Sequence, residues 1–235
     1  MSKSILVVGA HPDDYEFGCG AVLLKAVSEG IKVHSVIFSL GESGTAGTPE
    51  IRREEAQHAA EILGSELIEL LLDGDAKLEE SVENRIKLAR LIRELKPDWV
   101  LAPSHHLRQH PDHVAASNLA RNAVRLARYG GFKELKDLEP HRQCKVAFYD
   151  ISNRSNLTED HPIVVDVSGF KDAWVDLMNC HASQTSNQRY VELQVARATA
   201  LGIENDCDLA QKLLLESAPV FGAVEQIIEG KKLSF

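Results

Sequence analysis

Short apolar, β-branched runs alternate with longer stretches of helical period, and this alternation limits the possible folds more than any other feature. The strand candidates are Ser4–Gly9, Lys32–Ser39, Glu66–Leu72, Trp99–Ala102, Lys145–Tyr149 and Ile163–Asp166. Helical patterns lie between the first five, over Glu16–Glu29, Pro49–Leu63, Glu79–Leu95 and His113–Tyr129; two more, Phe170–Asn179 and Gln188–Leu201, follow the last strand. Pro49 sits in a first turn, where its missing N–H costs nothing, and Gly64 is a helix stop. Such alternation predicts βαβ units around a largely parallel sheet, hence an α/β fold. At 235 residues and 44% hydrophobic, with no Pro/Gly/Ser-rich linker, low-complexity tract or repeat, residues 1–235 read as one domain with one good-sized core.

Right-handed crossovers place the carboxyl ends of the first four strands on one edge of the sheet, where open α/β sheets bind ligands. The segments that fall there are "GAHPDD", "SLGESGTAGT", "DGD" and "PSHHLRQHPDH". An apolar strand that ends in a His, a Pro and two Asp puts its unusual chemistry at that edge.

His11 and Asp14 are three residues apart, as are His110 and His113, so each pair can face one side of a strand-to-helix junction. Imidazole nitrogens and carboxylate oxygens are the donors of hydrolytic zinc sites, three from the protein with one position kept for water. A set drawn from His11, Asp14, His110 and His113 suits that design. Spacing alone leaves open which of His110 and His113 is the ligand. Asp13 and Asp112 are then free to serve as general base and as an orienting carboxylate. Taken singly, either motif is also explained by a turn, with Asp14 or Asp112 capping the next helix. His105 and His106 read as solvated loop residues.

"AHPDDYE" at 10–16 together with "HPDH" at 110–113 strongly resembles the LmbE-like, or PIG-L, family of zinc-dependent N-acetylglucosaminyl deacetylases. "SLGESGTAGTPEIRREEAQHAAEILG" at 39–64 looks like that family's Gly-rich loop and following helix, and "HASQ" at 181–184 with "ARATALG" resembles its bacillithiol-pathway branch. The resemblance covers nearly the whole chain. It implies a Rossmann-like three-layer sandwich with a mostly parallel sheet, and a metal held by His11, Asp14 and His113. It also implies Asp13 as the base that activates water, and His110 as the free imidazole that steadies the oxyanion or protonates the leaving amine. Asp112 would orient His110 and favour its charged form. Zinc is the expected metal, although Fe2+, Mn2+ or Co2+ suits the same donors. Family relatives suggest a homo-oligomer, a trimer or hexamer.

The expected substrate is a small amino-sugar conjugate, with N-acetylglucosaminyl malate of bacillithiol biosynthesis first. Inositol-linked or lipid-linked N-acetylglucosamine and short chitooligosaccharides are alternatives. Arg53 is the candidate for substrate contact, with Arg52 as its alternative, and Glu42 and Gly44 of the Gly-rich loop join it. That branch commonly has Arg directly before its second motif; here Gln109 stands there, with Arg108 one step earlier. "LAQ" at 209–211 replaces a Tyr-Ala-Glu run. A two-metal phosphoesterase would need a second site, and the sequence offers few spare carboxylates beside His105 and His106; a silent sugar-binding relative would have lost a ligand or the base. No GK[ST] follows the glycines, and "GCG" at 18–20 is not a dinucleotide fingerprint. The net charge of −9 argues against nucleic acid or an anionic membrane as the main partner. The absence of a membrane-length apolar run or a signal peptide, with four scattered cysteines read as reduced thiols, predicts a cytoplasmic protein.

Overall fold

The computed structural model describes residues 3–105, 109–151, 161–186 and 188–218. Among these residues seven strands form one sheet: β1 (Ser4–Gly9), β2 (Lys32–Ile37), β3 (Glu66–Glu69), β4 (Trp99–Pro103), β5 (Lys145–Tyr149), β6 (His161–Asp166) and β7 (Ala210–Leu215). The helices are α1 (Asp14–Ser28), α2 (Pro49–Leu63), α3 (Val82–Leu95), α4 (Pro111–Ala127), α5 (Lys171–Asn179), α6 (Ala182–Thr185) and α7 (Tyr190–Glu204). The strand order is β3-β2-β1-β4-β5-β7-β6. Strands β1 to β5 are mutually parallel, whereas β7 runs antiparallel to both β5 and β6.

Strand side chains alternate between the two faces, and both faces are covered. Val7 points into one core with Tyr15, Leu23, Trp174 and Leu177, under α1 and α5. Leu6 and Val8 point into the other, with Leu88, Ile92, Leu119 and Val124 from α3 and α4. The result is the three-layer sandwich that the resemblance implies, built on the largely parallel sheet that the alternation of strand and helix predicts.

Polar ties lock the layers around the start of α1. Tyr149 on β5 donates its hydroxyl to the Val8 carbonyl (2.7 Å), and Trp174 of α5 donates its indole N–H to the Glu16 carbonyl (2.7 Å). Gly18 is required here, because a Cβ would lie 2.2 Å from the Tyr149 ring.

Two elements depart from the sequence pattern. α6 is a single turn, and β7 has an apolar run of only three leucines after Gln211 and Lys212. β7 is nonetheless buried, because it is inserted between β5 and β6 and Gln211 accepts from the Val22 N–H (3.0 Å). "LAQ" therefore leads into an internal strand. Among the described residues no helix is long and apolar enough to cross a membrane.

Candidate active site

The carboxyl end of β1 leads into a tight turn whose shape is set by Asp14. Its Oδ2 accepts the backbone N–H groups of Ala10 (2.8 Å) and His11 (3.0 Å), which fixes the carboxylate before the helix begins. Asp14 thus organises the turn without leaving the site, since its other oxygen lies 3.0 Å from Nε2 of His113. Asp13, just before α1, has φ 99°, a left-handed conformation that is strained for any residue with a side chain. Strain of this kind persists where the surrounding structure imposes it, and it gathers at reactive sites.

The fourth strand delivers the second motif. Pro111 occupies the first turn of α4, and the helix is capped by His110, whose Nδ1 accepts the Asp112 N–H at 3.2 Å. Asp112 is therefore not the cap. Three imidazoles meet in a triangle, with ring centroids 5.0 Å apart for His11–His110 and 5.5 Å for both His11–His113 and His110–His113.

Ligand atoms of His11, Asp14 and His113, all buried, lie within 4.8 Å of one another. His11, His110 and Asp112 form a second group of that size, but His110 is exposed. The donor set of the first group, two imidazoles and a carboxylate, fits a divalent ion with an open position. Its surroundings fit as well: Asp13, Asp75 and Asp112 add negative charge, and Nδ1 of His113 is buried with no hydrogen-bond partner among the described residues.

Asp75 was not singled out from the sequence. It belongs to the "DGD" segment after β3, and its Oδ1 lies 2.9 Å from Nε2 of His11. Asp112 reaches the same nitrogen at 3.1 Å and accepts the Ala76 N–H at 2.7 Å. The expectation that Asp112 orients His110 is therefore corrected: its carboxylate serves His11 and the loop after β3. His110 is also not favoured in its charged form. Partial enclosure of its ring in the cleft and the neighbouring His11 and His113 lower its pKa, outweighing the opposing charges of Asp112 and Asp14.

Burial opposes charging of His11, but hydrogen bonds and the charges of Asp14 and Asp75 outweigh it and push the imidazole up to about 11. Burial would likewise raise Asp14, yet His113 and His11 hold its carboxyl well below the usual range. Asp13 goes the other way. Burial, opposed by Arg52 and reinforced by Asp14, pushes it up to about 6.

The two neighbouring arginines separate cleanly. Arg53, the candidate for substrate contact, turns outward and pairs through Nε with Glu69 at 3.0 Å, outside the cleft. Arg52 is buried. Its Nη2 donates to the Pro12 carbonyl (2.7 Å) and to Asp13 (3.3 Å), and its Nη1 to the Gly41 carbonyl (3.4 Å). Helix phase carried this signal: Arg52 precedes Ala56, Ala59, Ala60 and Leu63 on the buried face of α2.

Glu42 staples the Gly-rich loop, accepting the Leu40 N–H (3.2 Å) and the Asp75 N–H (3.0 Å), and does not line the cleft. Gly44 does line it. Gln109 is tied to Asp150 (3.1 Å) and Ser104 (3.3 Å). Arg108 and His106 lie outside the described residues. His105 packs edge-on against Phe148, with ring centroids 5.4 Å apart.

"HASQ" closes the cleft from the far side. Nε2 of His181 lies 3.1 Å from Glu16, with both side chains fully buried. Ser183 is held by Glu55 through N (2.7 Å) and Oγ (2.6 Å), and Gln184 donates to the Ala46 carbonyl (2.8 Å). The cleft has a volume of about 650 Å3 and contains His11, Asp13, Asp14, Arg52, Asp75, His110 and His113. A smaller cavity of about 300 Å3 beside Trp174 and Lys212 contains none of them.

A Rossmann-like sandwich with buried His and Asp donors at the carboxyl ends of β1 and β4 defines an α/β protein with a candidate hydrolytic metal centre. Residues 6–124 match the family described as PIG-L: GlcNAc-PI de-N-acetylase, and the chain belongs to that family of deacetylases acting on N-acetylglucosamine-type substrates. It is 31% identical over 194 residues to the diacetylchitobiose deacetylase of Thermococcus kodakarensis, covering 77% of this chain and 70% of that one. It is 33% identical over 166 residues to the 4-oxalmesaconate hydratase of Pseudomonas putida, covering 61% and 64%. Among solved structures, the conserved protein TT1542 from Thermus thermophilus superposes with a TM-score of 0.82 at 33% identity, covering 94% of this chain and 97% of that one.

Proposed function

We propose that this protein removes the N-acetyl group from an N-acetylglucosamine conjugate by directing water onto the amide. His11, Asp14 and His113 would hold the metal, with zinc first and Fe2+, Mn2+ or Co2+ as substitutes. When bound, such an ion polarises a carbonyl and makes hydroxide available near neutral pH. The observation that carries the reading is Asp13, a strained carboxylate with a pKa of about 6 that lines the cleft directly beside this donor set.

The chain's own residues divide the work. Asp13 takes the proton of the attacking water, since a base titrating near neutrality combines availability with driving force. Arg52 holds Asp13 against the Pro12 turn. His110 accepts at Nδ1, so as a neutral imidazole it carries its proton on Nε2 and can donate a hydrogen bond from there to the oxyanion, while the departing nitrogen takes the proton that Asp13 removed from water. Asp75 and Asp112 fix the His11 ring.

Resemblance favours N-acetylglucosaminyl malate as the substrate, along with a cytoplasmic setting and a trimeric or hexameric assembly. Of the two arginines chosen to read the malate carboxylate, Arg53 is instead engaged by Glu69, and Arg108 lies outside the described residues. The hydratase relative favours a second reading, addition of water to a polycarboxylate such as 4-oxalmesaconate.

Purified enzyme is assayed for free amine with N-acetylglucosaminyl malate, N,N'-diacetylchitobiose and N-acetylglucosamine, with and without a chelator. In parallel, 4-oxalmesaconate is followed by its absorbance. Chelator-sensitive amine release with no hydration is the expected result. Hydration without amine release sinks the deacetylase reading.

A further inference from the structure

We propose that Tyr190 and Leu193 of α7, backed by Phe17, form a second sugar subsite that takes a neutral pyranose ring linked to the acetylated sugar. The inference rests on the deacetylase reading and names its substrate class, a disaccharide or longer saccharide.

Phe17 lies one helical turn beyond Asp14, so it follows the metal-ligand candidate along the same face of α1. Its ring meets the Tyr190 ring edge-on, with centroids 6.1 Å apart. Phe17 is buried, whereas Tyr190 is 46% and Leu193 43% exposed, and all three line the cleft that holds Asp13 and His113. Two large, half-exposed apolar side chains thus form a wall continuous with the reactive groups. A pyranose presents a flat face of C–H groups, which packs on such an aromatic and aliphatic surface. Its hydroxyls need hydrogen-bonding partners in return, and the same cleft offers the Thr45 hydroxyl and the amide oxygens of Gln184 and Gln194, whose amide nitrogens donate to the Ala46 and Ile151 carbonyls.

An anionic substituent is less well served. A carboxylate leaving water needs a cation to compensate it, and the arginines lining the cleft among the described residues are engaged. Arg52 serves Pro12, Gly41 and Asp13, and Nη1 of Arg197 donates to the Ile151 carbonyl at 3.1 Å. A volume of about 650 Å3 lies mid-range for sites that enclose drug-sized ligands, with room for more than one ring.

The test compares kcat/KM for N,N'-diacetylchitobiose, N-acetylglucosamine and N-acetylglucosaminyl malate in the wild type, Tyr190→Ala and Tyr190→Trp. Removing an apolar contact of this size lowers discrimination by about tenfold or more. Tyr190→Ala is therefore expected to reduce the disaccharide's advantage over the monosaccharide about tenfold, and Tyr190→Trp to keep it. Calorimetric titration of Asp13→Asn, with and without Tyr190→Ala, using N,N'-diacetylchitobiose reads the same contact without turnover. A chain that releases no amine but binds the disaccharide through Tyr190 sinks the reaction and keeps the subsite. Equal loss on both sugars overturns the subsite, as does a malate preference indifferent to Tyr190. A change in solution mass of Tyr190→Ala with sugar preference intact assigns this face to a subunit contact and overturns it as well.

Discussion

Replacing Asp13 with Asn separates what the site needs from what the fold prefers. Burial, together with Asp14, raises the Asp13 carboxyl from 3.8 to about 6 despite Arg52 beside it. At 1.36 kcal/mol per pH unit, that gap means ionised Asp13 costs the folded chain at most about 3 kcal/mol. The sign follows from where the proton sits. Below pH 4 Asp13 is protonated in both folded and unfolded chains. Between pH 4 and 6 the unfolded chain ionises first and gains, so wild-type stability falls; above about pH 6 the difference is constant. Asn cannot ionise, still offers Arg52 an oxygen, and tolerates positive φ better than most residues. Chelator-treated wild type and Asp13→Asn are unfolded in urea from pH 3.5 to 8. The stability of Asp13→Asn relative to wild type is expected to rise by about 1–3 kcal/mol across that window and then level off. The same variant should lose amine release by about 10^2-fold or more, as expected for removal of a general base. A pH-independent difference, or a relative stability that falls as pH rises, would refute the electrostatic account of this site.

Two further substitutions probe the neighbouring arginines, and a third probes the packing behind them. Arg53→Ala, at a half-exposed ion pair, is expected to change stability by less than about 1 kcal/mol and to leave turnover near wild type. Arg52→Ala leaves the Pro12 and Gly41 carbonyls without their donor, costs about 2–4 kcal/mol in urea unfolding, and cuts turnover sharply. Gly18→Ala drives a methyl group against the Tyr149 ring, and thermal unfolding should show a loss of about 1–3 kcal/mol.

The strands and helices of the parallel half were legible in the sequence because their signals are local. The β1 run, the α2 boundaries with Pro49 and Gly64, and the β5 run all appear in the structure with the expected limits. The chemistry at the strand ends was legible for the same reason, since one motif follows β1 and the other follows β4, and the order of a parallel sheet makes these strands neighbours. β7 was not legible. Its Gln211 is buried only because two other strands flank it, and no local pattern records a partner supplied from elsewhere in the chain.

Side-chain direction marks the same boundary inside the site. Composition and spacing put His11, Asp13, Asp14, His110 and His113 at one edge of the sheet. Helix phase marks Arg52 for the buried face of α2, but that its guanidinium reaches the Pro12 and Gly41 carbonyls depends on how α2 packs against the turn after β1. That Asp112 serves His11 rather than His110 depends on where the loop after β3 lays Ala76 and Asp75. The sequence by itself determined which residues reach the edge, because periodicity along the chain sets strand and helix. The tertiary structure alone decided which of them touch, because contacts between distant segments depend on packing that no single segment encodes.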